Sequence, residues 1–180
     1  GKCGGFELLG HSIANPRLEL YGLRQAMLAS YGNPLKTTQI NHSSAIAEGI
    51  TKVSEASIEE TIGFLSKFRD RYYASEGKND AIFEFKKRIE SMPNAERIQV
   101  ELITHTRISQ KSLRVRLPGT TFPNEVVVIG GHIDSINSRS FGTGVAPGYD
   151  DNASGSADIF EVLKIMLTQP SPQRTVEFFW

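Results

Sequence analysis

The last third of the chain alternates between strand and helix patterns, and this alternation is the strongest constraint on the fold. Residues 126–129 (Val-Val-Val-Ile) form a continuous apolar run of strand length. Apolar residues recur at helical spacing over residues 155–167, and residues 175–180 have strand character again. Two strands joined through a helix form a βαβ unit, in which the strands run parallel. We expect residues 126–129 to be a central strand that is covered on both faces.

The middle of the chain predicts two helices followed by an antiparallel pair of strands. Ser57 and Glu60 fit a capping box at the start of the first helix, which we expect to continue through Phe68. Asn79 is a plausible cap for the second helix, which we expect to end near Pro93. The hydrophobic period then changes from 3.6 to 2. Alternation in two segments, residues 98–102 and 113–117, predicts the strand pair.

Residues 1–45 differ from the rest and predict a separate N-terminal extension. Apolar residues at roughly helical spacing between Leu18 and Leu28 favour one amphipathic helix. A polar stretch over residues 36–44 is typical of a linker. We therefore place a domain boundary near residue 45, with residues 46–180 as the second part.

Composition excludes several classes of protein. Twenty Lys and Arg balance twenty Asp and Glu, so a net charge of +0 argues against a dedicated nucleic-acid binder. No apolar run approaches the roughly 20 residues of a membrane span. Cys3 is the single cysteine, so an intrachain disulfide is impossible. Because residues 176–180 end the chain within an apolar strand, we expect it to be a piece of something longer.

Two polar motifs lie between the apolar strand and the predicted helix of the βαβ unit, at the carboxyl end of the strand, where open α/β sheets bind their ligands. Residues 130–135 (Gly-Gly-His-Ile-Asp-Ser) follow the apolar strand, and residues 146–155 (Ala-Pro-Gly-Tyr-Asp-Asp-Asn-Ala-Ser-Gly) precede the helix. His132 is a suitable metal ligand, and Asp134 is placed to hold its second nitrogen. Asp150 and Asp151 are adjacent carboxylates that repel each other unless a cation lies nearby, and a carboxylate with two oxygens can bridge two ions.

Each motif alone has a simpler interpretation, as a loop histidine, a turn aspartate or a helix cap. The two motifs in this order favour a metal site.

The same two motifs resemble family M28 of zinc aminopeptidases, with most similarity to secreted bacterial leucyl aminopeptidases of the Aeromonas/Vibrio type. The resemblance covers residues 46–180, the first half of the catalytic domain. It implies an α/β fold, a three-layer α/β/α sandwich with a mixed, mostly parallel sheet, incomplete at the C-terminus. It also implies a helix over residues 57–73 and a secreted or periplasmic protein.

The resemblance also implies roles for individual residues. His132 would bind one of two Zn²⁺ ions, Asp151 would bridge both, and Asp134 would orient His132. Asp150 receives no firm role. A cis peptide bond would follow Asp151. The implied reaction removes N-terminal residues, large and apolar ones such as leucine, with a glutamate as general base.

The chain departs from the family pattern because only two of the five implied metal ligands occur in it. The general base and three ligands would follow Trp180, so we expect the chain alone to be inactive. Its expected partners are a peptide substrate and either the missing C-terminal half or a second copy at the exposed sheet edge; neither nucleic acid nor membrane is expected.

Three alternatives stay open: an M28 carboxypeptidase, a glutaminyl-cyclase-like enzyme, and a non-catalytic interaction module. Residues 1–45 are either a pro-segment remnant or a helical extension, and Cys3 is either free or paired with a cysteine outside this chain.

Overall fold

The structure is a computed structural model that describes residues 43–140, 142 and 144–180. The predicted N-terminal helix and most of the predicted linker lie outside the described residues. Ser43 and Ser44, the last two residues assigned to the linker, instead begin a helix. The domain boundary near residue 45 stays a prediction.

The described residues form four helices and four strands. The helices are α1 (Ser43–Ile50), α2 (Glu55–Ser66), α3 (Asp80–Glu90) and α4 (Gly155–Leu167). The strands are β1 (Gln99–Ile103), β2 (Ser112–Leu117), β3 (Phe122–Gly130) and β4 (Arg174–Phe179). In the described part of the chain, no helix is long and apolar enough to cross a membrane.

The four strands make one mixed sheet in the order β1-β2-β4-β3. β1 and β2 are antiparallel, as their alternation predicted, and β3 and β4 are parallel, as the βαβ pattern predicted. β2 and β4 pair antiparallel, so one of the three described pairings is parallel. The α/β fold with a mixed sheet is confirmed. Further parallel strands and a third layer stay predictions.

The hydrophobic core lies between the helices and one face of the sheet. Leu113, Val115 and Leu117 alternate along β2 with half-buried polar residues and are at most 1% exposed. The ring of Phe85 on α3 lies 5.0 Å from the ring of Phe160 on α4, measured between centroids. Buried residues of β2, α3 and α4 belong to one cluster, which fixes the orientation of α4 against the sheet.

β3 is an edge strand of the described sheet, so the prediction of a central strand covered on both faces is wrong for this part of the chain. It pairs on one side with β4, and Val126, Val127 and Val128 are 43%, 46% and 61% exposed. A run of valines indicates a strand that is buried by neighbouring elements. It does not show whether those elements belong to the same stretch of chain.

Helix α2 begins and ends earlier than the sequence predicted. Its N-cap is Ser54, whose Oγ accepts a hydrogen bond from the Ser57 amide at 3.3 Å, so the capping box predicted at Ser57 is wrong. The helix ends at Ser66, so residues 67–73 are not helical. α3 begins after Asn79 as predicted, but the Asn79 side chain accepts from the Lys111 amide at 2.8 Å and does not cap the helix.

Ser57 has a different role, because it binds a buried carboxylate on α4. Glu161 is 5% exposed and accepts hydrogen bonds from the Ser57 hydroxyl at 2.9 Å and the Ser54 amide at 3.0 Å. Lys164 completes the group with an ion pair of 2.5 Å to Glu161. Burial raises the pKa of Glu161, but the hydrogen bonds from Lys164, Ser57 and the Ser54 amide outweigh it, so the pKa lies below its ordinary value.

We predict that Glu161→Gln lowers the free energy of unfolding at pH 7 by about 1–3 kcal/mol, since it removes a charged acceptor of buried donors. A lowered folded-state pKa stabilises the protein above the ordinary value of 4.5, and this contribution is lost as the pH falls through the folded-state pKa. Urea unfolding between pH 7 and pH 3.5 should therefore show the difference between wild type and variant shrinking. Glu59→Gln, at an exposed position of α2, is the control; a difference independent of pH contradicts the assignment.

Candidate metal centre

The two motifs predicted to form the site meet at the carboxyl end of β3. His132 and Asp134 follow the strand, and Asp151 lies in a π-type turn, Tyr149–Ser154, that leads into α4. His132 Nδ1 lies 3.1 Å from Asp134 Oδ1, and His132 Nε2 lies 3.0 Å from Asp151 Oδ1. The structure thus brings together all three predicted site residues.

Asp150 lies next to Asp151 in sequence, but among the described residues its side chain does not bind His132 or Asp134. Its backbone carbonyl accepts a hydrogen bond from the Ser154 hydroxyl at 2.8 Å, which closes the turn. The residue is exposed, and the structure adds no role for its carboxylate.

The backbone of His132 is fixed by the turn that leads into α4 and by the first turn of that helix. Its carbonyl accepts hydrogen bonds from Asn152 Nδ2 at 3.2 Å and from the Ser156 hydroxyl at 3.3 Å. Asn152 Oδ1 in turn accepts from the Gly155 amide at 3.2 Å. The peptide bond between Asp151 and Asn152 is cis, as the family resemblance implied. The strand end and the helix start therefore hold each other in place.

Arg71 binds backbone in both motifs of the site and links them, although no local sequence pattern indicates this. The residue is 1% exposed, and its guanidinium donates to backbone carbonyls only. Nε donates to Ile133 O at 2.6 Å, between the two residues of the first motif that face the site. Nη2 donates to Gly148 O at 3.1 Å, just before the turn that carries Asp151.

Two further carbonyls complete the environment of Arg71. Nη1 donates to Pro147 O at 2.5 Å and to Leu65 O, at the end of α2, at 3.0 Å. Burial lowers the pKa of Arg71, and the charges of Asp134 and Asp151 oppose that shift. An arginine stays protonated in proteins, so a fixed positive charge lies close enough to interact with the two carboxylates.

Ser135 of the first motif and Gly148 of the second motif both contact Arg71 or leave space for it. The Ser135 hydroxyl donates to Ala146 O at 2.6 Å and accepts from the Arg71 amide at 3.1 Å. Gly148 has φ +56°, and a Cβ there would lie 2.7 Å from both Arg71 Nη2 and Ser135 Cβ. Glycine is therefore required at this position for both its backbone conformation and the space it leaves.

The donor atoms of His132 and Asp151 fit part of a zinc site. Two ligands bound at about 2.1 Å to a tetrahedral Zn²⁺ lie roughly 3.4 Å apart, close to the 3.0 Å between Nε2 and Oδ1. Asp134 holds the other ring nitrogen, which is the usual arrangement around a metal-bound histidine. Within residues 43–140, 142 and 144–180, no group of three or more His, Cys, Asp or Glu side chains is placed to hold a metal ion.

The other histidines do not contribute to the site in the described part of the chain. His105 Nε2 lies 2.8 Å from the Ser112 hydroxyl, on the connection between β1 and β2. His11 and His42 lie outside the described residues.

The site residues that sequence reasoning missed are polar side chains that bind backbone. Arg71, Ser135 and Ser156 are buried, and Asn152 is half-buried. Ser135 and Ser156 lie next to the predicted motifs, so their position was a usable signal. Arg71 had none, because its acceptors Ile133, Pro147 and Gly148 lie 62, 76 and 77 residues away in sequence.

Residues 113–180 match peptidase family M28, and this segment contains both motifs of the site. This segment of the chain is similar to that family. Leucine aminopeptidase 1 of the fungus Trichophyton equinum is 35% identical over 153 residues, which cover 79% of this chain and 40% of that protein. The chain thus spans well under half the length of the curated relatives it matches. This relative is fungal, and the bacterial Aeromonas/Vibrio type stays a prediction.

Solved structures support the fold of the described residues. The LapA aminopeptidase of Legionella pneumophila superposes with a TM-score of 0.69 at 22% identity, over 79% of this chain and 38% of that one. A glutaminyl cyclase from an Acidobacteriales bacterium has a TM-score of 0.54 at 15% identity, over 69% of this chain and 43% of that one. At such identities the likeness establishes the fold alone.

We predict that Arg71→Met lowers the free energy of unfolding by at least about 3 kcal/mol, because it leaves several buried carbonyls without a donor. Arg71→Lys keeps the charge but loses the planar fork, so it should recover less than half of that loss. Urea unfolding at pH 7 measures both, with Arg107→Met at an exposed position as the control. Full recovery by lysine would show that the charge alone matters.

Proposed function

We propose that the protein is a metallo-aminopeptidase that removes N-terminal residues, large apolar ones such as leucine, from peptides with the help of two zinc ions. The observation that carries this proposal is the placement of His132 Nε2 and Asp151 Oδ1, 3.0 Å apart, with Asp134 behind the histidine. The M28 match and the leucine aminopeptidase relative give the reaction class.

In this proposal the side chains of the chain hold and orient the ions. Asp134 accepts the Nδ1 proton of His132, which leaves the Nε2 lone pair free to bind one zinc ion. Asp151 has two carboxylate oxygens and would help to hold both ions. When bound, the two zinc ions polarise the scissile carbonyl and lower the pKa of a bound water. Asn152 and Ser156 keep the histidine backbone fixed during the reaction.

We propose that further polypeptide supplies the rest of the machinery. The general base and three metal ligands are expected there, since this chain spans about 40% of its curated relative. The exposed valines of β3 offer that polypeptide an apolar strand edge to pair with. A secreted or periplasmic location, implied by the resemblance, belongs to the same proposal.

We predict that His132→Ala and Asp151→Asn each lower kcat/KM for leucine p-nitroanilide at least about 1,000-fold in the full-length protein, since each removes a zinc ligand. Zinc content, measured on the same samples, should fall from two ions per protein. His105→Ala and Asp158→Asn are matched controls at exposed positions away from the site, and both should keep wild-type activity and zinc. The 180-residue chain alone should show no turnover.

The same assay separates the alternatives. A protein that binds zinc, leaves leucine p-nitroanilide intact and cyclises an N-terminal glutamine would be a glutaminyl cyclase. A protein without zinc or turnover, unchanged by His132→Ala, would be a non-catalytic module.

A further inference from the structure

A cavity of about 370 Å³ opens beside the candidate metal centre. One wall consists of His132, Asp134 and Asp151. The other wall comes from the loop that connects the two motifs, residues 136–139 and 145–146. Small-molecule sites usually measure about 300–1,000 Å³, so this one has room for a ligand of one or two amino-acid residues.

The loop that forms the second wall has a defined shape, and Asn137 organises it. The Asn137 side chain donates to Val145 O at 3.1 Å across the loop. Its backbone carbonyl accepts from the Ser140 amide at 3.2 Å and the Gly142 amide at 3.0 Å. Gly142 has φ +85°, a conformation that favours glycine. These bonds place the side chains of residues 139 and 145 at the cavity.

The chemistry of this wall differs from that of the metal centre. Ile136 and Val145 are 49% and 63% exposed, although both are aliphatic. Arg139 is exposed and is the cation of the wall among the described residues. Its guanidinium makes no hydrogen bond or ion pair with any other described residue. An aliphatic surface with one available guanidinium is suited to a small ligand that carries a carboxylate.

We propose that this cavity binds the part of a peptide substrate that follows the first residue, and that Arg139 binds a carboxylate there. This inference rests on the proposed aminopeptidase function. In a peptide cut after its first residue, the free α-carboxylate always lies on the far side of the reacting bond. Arg139 is five residues from Asp134, so their Cα atoms lie at most about 18 Å apart. A dipeptide or tripeptide can therefore reach from the metal centre to Arg139.

Two sources can supply the carboxylate, a free C-terminus or an acidic side chain, and matched substrates separate them. Leu-Gly and Leu-Gly-amide differ only in the C-terminal charge. Leu-Asp-amide and Leu-Asn-amide differ only in the side-chain charge. For whichever source is used, the charged member of the pair should have a KM about five- to tenfold lower in the wild-type protein.

The test is Arg139→Gln in the full-length protein, with kcat and KM measured for all four substrates. We expect the KM advantage of the charged substrate to fall to within about twofold, while KM for the neutral partner and kcat stay unchanged. Arg107→Gln, at an exposed arginine that does not line the cavity, should retain the wild-type pattern. Equal KM values for charged and neutral substrates in the wild-type protein, or an equal effect of Arg139→Gln on both, would overturn the inference.

Failure of the proposed function would show up separately, as absence of hydrolysis of all four peptides and of leucine p-nitroanilide. Calorimetric titration then decides the inference by itself. Binding of Leu-Gly or of Leu-Asp-amide that weakens at least about fivefold in Arg139→Gln supports the carboxylate site. Binding that is absent, or equal for the two proteins, contradicts it.

Discussion

The buried guanidinium of Arg71 is the interaction on which the rest of the site depends. It binds the carbonyl of Leu65 in the last turn of α2, a carbonyl after β3 and a carbonyl before the turn into α4, where the backbone lacks helix or sheet partners. Backbone carbonyls buried at such points need donors, and a planar group with five N–H bonds can serve several at once. A buried charge is costly, but here fixed carbonyl dipoles and the nearby carboxylates of Asp134 and Asp151 surround it. The contacts that stabilise the charge of Arg71 therefore also set the distance between the two motifs.

The second constraint is the mutual anchoring of β3 and α4. The carbonyl of His132 accepts hydrogen bonds from Asn152, in the turn before α4, and from Ser156, in its first turn. The rest of that helix packs into the core through Phe160 and Leu163. A shift of the helix along the sheet would move Asn152 and Ser156 and would carry His132 with them. The 3.0 Å separation of His132 and Asp151 thus depends on core packing as well as on the loops that carry these residues.

The parts of the fold that the sequence predicted are those set by local periodicity. β1, β2, α4 and β4 lie where the alternation and helical spacing placed them, because a two-residue or 3.6-residue repeat follows from burial of one face. The predicted N-cap of α2, Ser57, lies three residues after the observed one, Ser54, because serine is an equally good cap at both positions. The Ser57 side chain instead binds Glu161, 104 residues away. The position of β3 at the sheet edge also depends on pairing with β4, which follows it by more than 40 residues and which no local pattern in β3 reports. The site residues themselves came from the order of two motifs and from the family resemblance, whereas the role of Arg71 follows from contacts that no local pattern reports.

The exposed edge of β3 and the exposure of the metal-site residues have one geometric origin. His132 and Asp151 keep 46% and 60% of their side-chain surface exposed, and His132 directly follows the strand whose outer edge is open. A further strand parallel to β3 on that edge would bring its own carboxyl end beside His132, since parallel strands end at the same side of a sheet. Residues that follow such a strand would be placed to add ligands and a general base opposite Asp151. A single further strand on this edge would therefore both bury the apolar side of β3 and bring the remaining residues of the proposed metal centre next to His132 and Asp151.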